Sequence, residues 1–230
     1  MLRSFRFGES KLITDFYTEE MGRLSVIANA PNGSRKRQRS PAMQPLSIVE
    51  LECDVRQRQR LQKLREVRLA EPYTSLPFDA SKLSIGLFVA EFLCYALRGE
   101  QKDRPLFAYV EKSLRWLDGC ATGFANFHLV FLMRISRFLG FYPNLESDGE
   151  FFDLRESTFT GRQPLHRDYL QPEEAGRIRQ LMRMDYTTMH LFAMSRQERN
   201  RCVEVLLLYY KLHLPDFPDM RSLPVLRELF

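Results

Sequence analysis

The sequence lacks the cysteine spacing and the long apolar runs that mark zinc proteins, secreted proteins and membrane proteins. Its four cysteines stand far apart, with no C-x-x-C pair and no histidine to complete a zinc pattern: Cys53, Cys94, Cys120 and Cys202. The apolar run after Met1 ends at Arg3, too early for a signal peptide. The richest apolar stretch, Phe124 to Phe141, contains Arg134 and Arg137, so it is no membrane span. Scattered thiols without an export signal favour a cytoplasmic protein.

Catalytic signatures are absent as well. The sequence contains no Walker A loop, no glycine turn for dinucleotides, no H-E-x-x-H and no G-x-S-x-G. The acidic segment 146–156 alternates Phe151 with Asp153, which favours an exposed hairpin over a metal site. His128 and His166 have no partner at ligand spacing. We therefore predict a protein that is not an enzyme and that holds no metal or cofactor.

Positive charge, by contrast, is present and unevenly distributed. Residues 1–70 carry 14 lysines and arginines against 8 acidic residues, a net charge of +6, whereas the rest of the chain carries 20 against 21, a net charge of −1. Four of the cations lie between Gly33 and Pro41: Arg35, Lys36, Arg37 and Arg39. This asymmetry favours a part that binds a polyanion, joined to a neutral part.

The periodicity of the apolar residues changes once, near residue 75. Before it, KLITDFYT and GRLSVIAN alternate with a period of two and place these side chains on single faces: Leu12, Thr14 and Phe16, then Leu24, Val26 and Ala28. LSIVELEC and LREVRLA follow the same rule less strictly. Four or five short strands in about 70 residues predict a small antiparallel barrel, because closure removes the edges of a sheet.

After residue 75 the period becomes helical. Helices are predicted over residues 85–97, 105–117, 124–139 and 199–212. SRQE at 195–198 matches a capping box at the start of the last of these, and Gly140 is a predicted helix stop. Residues 85–97 and 202–212 are apolar almost all round, which is typical of helices at the centre of a bundle. Their aromatic residues are therefore interpreted as core.

Several motifs resemble the bacterial RecO family of recombination mediators. GESKLITDFYTEEMGRLSVIA at 8–28, a basic loop and QPLSIVELE at 44–52 resemble the start of that family. The patterns G-E-S-x-L-I, T-x-E-x-G-R-L-S and Q-P-L stand at matching distances. SIGLFVAEFLCYALRGE and LVFLMRISRFLGFYPNL resemble its helical part, so the likeness covers nearly the whole chain.

The resemblance implies a multi-domain α+β fold. An OB-fold β-barrel over residues 1–75 is expected to precede a C-terminal all-α helical domain over 76–230, which holds an inserted hairpin near 145–165. The implied function is a mediator of recombinational DNA repair in the response to DNA damage, which binds single- and double-stranded DNA and anneals complementary strands. Implied partners are RecR, the C-terminal tail of single-stranded DNA-binding protein (SSB) and, indirectly, the RecA recombinase that the mediator helps to load. No membrane contact is expected, and the location would be the cytoplasm, at the nucleoid.

Two departures from the family pattern affect these expectations. Many members carry a four-cysteine zinc site in the region that corresponds to residues 141–166, where this sequence has no cysteine. We expect a hairpin held by packing and turn residues instead. Members also usually carry several residues ahead of the position of Leu2. The barrel then has a shortened or exposed first strand, or the natural chain starts earlier.

The basic loop is expected to grip nucleic-acid phosphates, because loops flank the binding face of an OB fold. The loop offers no aromatic residue, which favours backbone contact over base recognition. Arg56, Arg58 and Arg60 are expected to share one side of an extended ribbon; a solvated strand edge is the alternative. The predicted nucleic-acid-binding residues are Lys11, Arg35, Lys36, Arg37, Arg39, Arg56, Arg58 and Arg60.

Aromatic side chains near the start of the chain are candidates for base stacking: Phe5, Phe7, Phe16 and Tyr17. Half of these are expected to face the core, because neighbouring strand residues alternate between the faces.

The neutral helical part is assigned to protein partners. The resemblance implies that the acidic, Phe-ended tail of SSB docks there, which requires an apolar pocket and one or two cations. The predicted partner-binding residues are Arg134, Arg137, Arg199, Arg201 and Tyr209. An alternative is a nucleic-acid-binding regulator of the helix-turn-helix type. Its recognition helix would be EEAGRIRQLMRM, which lacks a second short helix at the usual turn spacing.

Overall fold

The computed structural model describes residues 1–29, 41–56, 59–99, 101–146 and 148–230. The first strands are β1 (Arg3–Phe7), β2 (Lys11–Thr18), β3 (Gly22–Asn29), β4 (Ile48–Asp54) and β5 (Leu61–Glu71). Three helices follow: α1 (Ala80–Ala96), α2 (Arg104–Gly119) and α3 (Phe127–Phe138). The chain continues through β6 (Phe151–Asp153), β7 (Thr158–Thr160), β8 (Tyr169–Leu170), α4 (Pro172–Arg183), α5 (Arg196–His213) and α6 (Leu223–Leu229). The architecture is α+β, an OB-like sheet followed by a helical part, as predicted.

The described chain divides into two compact units. The first unit is Met1–Gly119 with Met220–Leu226, and the second is Cys120–Asp219 with Arg227–Phe230. Helices α1 and α2 therefore belong to the same compact unit as the first sheet. The domain boundary expected between residues 75 and 76 stays a prediction.

The five-stranded sheet has the strand order β1-β2-β3-β5-β4. Its neighbours are antiparallel except β3 and β5, which run parallel, with Ser25 beside Leu61 and Ile27 beside Lys63. The expectation of an entirely antiparallel barrel is therefore wrong for this one pair. Strand β1 is present, but it is five residues long and every residue in it is exposed.

The core of the barrel forms where the predicted alternation is clearest. Phe16, Leu24 and Val26 are buried and pack with Met1 and side chains of β4 and β5. Met1 also links the first strand to the residues before β4, because its carbonyl accepts the Leu46 N–H at 2.8 Å. The predicted inward face of β2 and β3 is thus confirmed for these residues.

Strand β2 departs from simple alternation, because Ile13 to Tyr17 are all buried. The face opposite the barrel core is covered at the Asp15 position, where Asp15 is only 3% exposed. Arg23 explains part of this cover: its Nη1 donates to the Cys94 carbonyl of α1 at 2.6 Å. A period-two pattern predicts one buried face and cannot predict a helix on the other.

A cluster that we call the linker clamp fixes the connection between β5 and α1. The Asp118 carboxylate, at the end of α2, accepts the backbone N–H groups of Thr74, Ser75 and Leu76 at 2.9, 2.8 and 2.7 Å. Lys82 is 3% exposed, and its Nζ donates to Ser75 Oγ at 2.6 Å and to the Asp118 carbonyl at 2.9 Å. Three successive N–H groups on one carboxylate hold the linker in a single path.

The predicted helices are all present, but α1 begins five residues earlier and α3 three residues later than predicted. The capping box of α5 is present, with Ser195 and Glu198 satisfying each other's backbone N–H groups. Gly140 adopts a positive φ of 85° directly after α3, a conformation that glycine reaches without strain. The acidic segment forms the expected hairpin, β6 and β7, to which β8 adds a third strand. The expectation that this hairpin is exposed is wrong, because Phe152 and Phe159 pack in the core and are 0% and 1% exposed.

Candidate nucleic-acid interface

Strand register gathers aromatic and basic side chains on one face of the five-stranded sheet. Phe7 lies opposite Lys11, and Phe5 lies opposite Ile13. Ile13 is in turn opposite Ile27, which lies beside Lys63 on β5. Residues directly opposite each other point to the same side of a sheet. We call this surface the outer face, defined by Phe5, Phe7, Lys11, Ile27 and Lys63.

The outer face leaves its aromatic rings in solvent. Phe5 and Phe7 are 43% and 56% exposed, although large apolar side chains are usually buried. Lys11 is exposed directly opposite Phe7, and Lys63 is exposed on the same face, three strands away from β1. Neither lysine forms an ion pair with any residue that the structure describes. Free cations next to open aromatic rings suit a polyanion that also carries flat, stackable groups.

The other end of the same side of the sheet is closed by a buried ion-pair network. Asp15 accepts Arg3 Nε at 2.7 Å, Arg23 Nη2 at 2.9 Å and Ser25 Oγ at 2.5 Å. Burial would raise the pKa of Asp15, but the hydrogen bonds from Ser25 and Arg3 and the charge of Arg23 outweigh it and lower the pKa. Asp15 therefore stays ionised and neutralises cations here, which leaves the Phe5–Lys11 end as the accessible positive surface.

The basic loop starts from the outer face. Strand β3 ends at Asn29, and Asn29 lies opposite Lys11. The predicted loop residues lie outside the described residues: Arg35, Lys36, Arg37 and Arg39. The described register places the start of their loop beside Lys11.

Arg56 and Arg60 lie on a turn, so the expected extended ribbon is wrong for these two; Arg58 lies outside the described residues. Strand β4 ends at Asp54, and the Gln59 N–H donates to the Arg56 carbonyl at 3.0 Å. Buried Gln62 holds the turn: its Oε1 accepts the Arg56 N–H at 2.7 Å and its Nε2 donates to the Gln59 carbonyl at 2.5 Å. A local hydrogen-bonded turn therefore replaces the ribbon.

These turn arginines form a second basic position on the sheet. Leu61, which follows Arg60, pairs with Ser25, four residues before Asn29 along β3. At about 3.3 Å per residue the two basic positions are separated by about 13 Å along the strand. A strand of nucleic acid that contacts both must follow the sheet.

Lys63 is the functional candidate that sequence reasoning missed. Its neighbours Arg65 and Arg68 are paired with Asp54 and Glu66 at 2.6 and 2.7 Å, while Lys63 remains free among described residues. The sequence carried no signal for this difference, because it depends on the parallel pairing of β3 with β5. Of the four aromatic candidates, Phe16 and Tyr17 are buried, and Phe5 and Phe7 remain.

The predicted partner-binding residues do not form one cluster. Arg134 donates to the Met184 carbonyl at 3.0 Å, and Arg199 donates to the Met194 carbonyl at 2.5 Å. Tyr209 is 1% exposed, so its burial in the core argues against contact with a partner. Sequence periodicity assigned Tyr209 to α5 correctly but could not tell which side of α5 is covered.

Arg201 lines a groove between α4 and α5 that has the features a tail requires. The groove has a volume of about 400 Å³ and an apolar floor of Ile178, Cys202 and Val205. Burial raises the pKa of the Cys202 thiol to about 11, so this part of the floor is uncharged at neutral pH. Arg177 and Arg201 stand at its rim, each paired with a glutamate of the rim.

The candidate recognition helix is α4, in which Arg177 and Arg179 are engaged within the protein and Arg183, the last residue, is exposed. Arg177 pairs with Glu198, and Arg179 donates to the Gly149 carbonyl at 2.9 Å. The Arg179 guanidinium also lies 3.6 Å from the centroid of the Phe159 ring. A helix that reads the major groove needs such side chains free on an exposed face. The packing of α4 therefore counts against the regulator hypothesis.

Among the residues that the structure describes, no group of three or more histidine, cysteine or acidic side chains is placed to hold a metal ion. Nor does any described helix combine the length and the apolar character needed to cross a membrane.

Comparisons with known proteins match the chain along nearly its full length. Residues 1–73 match the family described as Recombination protein O N terminal, and residues 77–223 match Recombination protein O C terminal. DNA repair protein RecO of Bacteroides fragilis strain ATCC 25285 is 49% identical over 233 residues. DNA repair protein RecO of Phocaeicola vulgatus is 50% identical over 232 residues, and that of Flavobacterium johnsoniae is 32% identical over 234. Each match covers 100% of this chain and 96% of the relative.

Proposed function

Because the chain belongs to the RecO family and so has a role in DNA repair and recombination, we propose that it is a non-enzymatic recombination mediator. It binds single- and double-stranded DNA through the basic surface of its sheet and anneals complementary strands at the nucleoid. With RecR it helps to load RecA onto DNA that is coated with SSB. The observation that supports this proposal best is the outer face, where exposed Phe5 and Phe7 share one side of the sheet with Lys11, Lys63 and the start of the basic loop.

The chemistry of the outer face suits a sequence-independent grip. Lysine and arginine contacts to phosphates position a strand and carry no sequence information. Base stacking on Phe5 and Phe7 is worth about 1–3 kcal/mol per base and accepts every base. A strand held through its backbone and one ring face keeps its Watson–Crick edges available. Annealing requires that availability, because the complementary strand must pair with those edges.

Two pairs of substitutions separate the electrostatic contribution from the stacking contribution. Lys11→Gln with Lys63→Gln should lower the salt slope of single-strand binding by about 1.4, since each phosphate contact contributes about 0.7. Phe5→Ala with Phe7→Ala should weaken binding at least about tenfold and leave the slope unchanged. Fluorescence anisotropy of a labelled oligonucleotide across a salt series measures both.

The matched control is Arg65→Gln with Arg68→Gln, which removes the same charge from residues of β5 that are already paired with carboxylates. An equal loss of slope in this control would show that only net charge matters and would count against the outer face. Strong preference for one DNA sequence would instead favour the helix-turn-helix regulator.

For SSB, we propose the groove between α4 and α5 as the site of its acidic tail. The apolar floor accepts the terminal phenylalanine, and Arg177 and Arg201 exchange their glutamate partners for the carboxylates of the tail. This choice keeps Arg201 from the predicted set and adds Arg177. The four other predicted residues, Arg134, Arg137, Arg199 and Tyr209, lie outside the groove lining.

Titration of an acidic, Phe-ended peptide into the full chain tests the groove. Arg177→Ala with Arg201→Ala should weaken peptide binding at least about tenfold, since one truncated charge partner at a binding site costs about 2 kcal/mol or more. Arg137→Gln should leave the affinity within twofold. If Arg137→Gln weakens peptide binding and the Arg177 and Arg201 variant does not, the tail binds at α3 and the groove is rejected.

A further inference from the structure

In the second unit, side chains of α3 and of the residues that follow it contact the end of α4. The Arg137 guanidinium, at the end of α3, lies 4.4 Å from the centroid of the Tyr142 ring. The Tyr142 hydroxyl donates to the Met182 carbonyl of α4 at 3.4 Å. Arg183 follows Met182, is exposed, and is the last residue of α4.

Arg134 of α3 also contacts the end of α4. Its Nη2 donates to the carbonyl of Met184 at 3.0 Å, the residue after Arg183. We call Arg134, Arg137, Arg183 and Tyr142 the arginine cluster. Within the described residues none of its three arginines forms an ion pair, whereas Arg177 and Arg201 on the same unit are both paired.

Acidic residues are segregated away from this cluster. Helix α3 contains none, and in α4 they are confined to the first turn, at Glu173 and Glu174. Nine residues separate Glu174 from Arg183, which is about 13 Å along a helix and more than one Debye length at 0.1 M salt. The net charge of −1 for residues 71–230 therefore conceals a local positive surface.

Asp185 is the acidic residue next to the cluster, and its carboxylate is already occupied. Its Oδ1 accepts the N–H groups of Thr187 and Thr188, both at 2.8 Å, and the Thr187 hydroxyl at 2.6 Å. The hydroxyl of Thr187 and the N–H of Thr188 lower the pKa of Asp185 to about 2. The Asp185 carboxylate is thus engaged within its own turn, and it forms no ion pair with the three arginines.

We propose that the arginine cluster binds the phosphodiester backbone of a second nucleic-acid strand. This inference rests on the proposed function, which assigns the first strand to the outer face. Annealing brings two polyanions together, so cations that contact the second strand offset part of the repulsion between the two strands. Guanidinium groups suit this because each presents a planar fork of donors that matches phosphate oxygens.

Two simpler roles do not account for the cluster. A cation in the last turn of a helix stabilises it by about 0.3–1 kcal/mol, which explains one arginine per helix but not three arginines without ion pairs where α3 contacts the end of α4. An acidic peptide tail would also need an apolar pocket for its last side chain. The groove between α4 and α5 has such a floor, and its lining includes none of the cluster residues.

The test uses the full chain with Arg137→Gln and Arg183→Gln, and leaves Arg134 in place because it holds the Met184 carbonyl. The affinity for a first single strand should change less than twofold. The annealing rate of complementary oligonucleotides should fall about tenfold, and its salt slope should fall by about 1.4 for two lost phosphate contacts. Arg162→Gln with Arg167→Gln is the control, since it removes two exposed arginines from the β7–β8 connection of the same unit.

Unchanged annealing by the cluster variant overturns the inference, as does an equal loss in the control, which would show that only net charge matters. Loss of acidic-peptide binding without loss of annealing would also overturn it and assign the cluster to a protein tail. Failure of the proposed function is distinguishable, because it would appear as unchanged first-strand binding when Lys11, Lys63, Phe5 and Phe7 are replaced.

Discussion

Replacing Arg35, Lys36, Arg37 and Arg39 by alanine should lower the affinity for single-stranded DNA by about two orders of magnitude at low salt. The four cations lie in one Gly- and Pro-bounded loop, and that loop starts from β3 at Asn29, opposite Lys11. If each contacts one phosphate, the salt slope should fall by about 2.8. The same substitutions should weaken binding to unrelated sequences equally, because the loop carries charge and no aromatic residue.

The matched control replaces the uncharged polar residues of the same loop, Ser34, Gln38 and Ser40, by alanine. This variant changes side chains along the loop and keeps its charge, so its affinity and slope should stay at wild-type values. Unchanged affinity in the charge-removing variant would reject the loop as a contact. Arg56 and Arg60, the second basic position on the sheet, would then be the next residues to replace.

The sequence pattern predicted correctly those strands and helix ends that depend on interactions between residues close together in the chain. Strands β2 and β3 coincide with the alternating segments, and α5 begins at the capping box of Ser195 and Glu198. Gly140 ends α3 with a positive φ. Each of these signals depends on residues within a few positions of one another, so one sequence carries it completely.

Features that depend on distant pairing were not predictable in the same way. The parallel alignment of β3 with β5 joins residues 25–27 to residues 61–63, and it alone places Lys63 on the outer face. Burial of both faces of β2 requires the contact between Arg23 and α1. Charge counts identified the basic third of the chain, but which cations remain free depends on partners such as Asp54 and Glu66 across or along the strands.

The predicted partner-binding residues also show that contacts between distant residues could not be predicted from the sequence. Composition identified cations on α3 and α5, but the groove also includes Arg177 of α4 beside Arg201 of α5. The sequence of either helix alone does not show that the two helices pack together. Tyr209 matched the helical period of α5 but lies on its buried side, where its hydroxyl donates to Ser157 Oγ at 2.6 Å. Periodicity predicts that a helix has a buried side, and only the packing shows which positions form it.

Replacing Asp118 by alanine should destabilise the first unit by about 2 kcal/mol, because the N–H groups of Thr74, Ser75 and Leu76 lose a charged acceptor. The hydrogen bond from Thr74 is exposed and screened by solvent, so it contributes little to this loss of stability. Thermal unfolding at pH 7 should show a melting temperature lower by about 5–10 °C. Limited proteolysis should also cut the chain faster between β5 and α1, because the linker loses its fixed path. The exposed carboxyl of Asp148 is the control, and Asp148→Asn should change neither measurement.

The pH dependence of this effect has a definite sign. Burial would raise the pKa of Asp118, but the N–H groups of Thr74, Leu76 and Ser75 outweigh it and lower the pKa to about 2 from an ordinary value of 3.8. A carboxyl whose pKa is lower in the folded state stabilises the fold above its unfolded pKa and loses that contribution as the pH falls through its folded pKa. The stability difference between the wild-type chain and Asp118→Asn should therefore be constant above about pH 5 and shrink between about pH 4 and pH 2. A difference that persists unchanged at pH 2 would mean that the charge of Asp118 does not hold the linker, and that its hydrogen-bonding shape alone does.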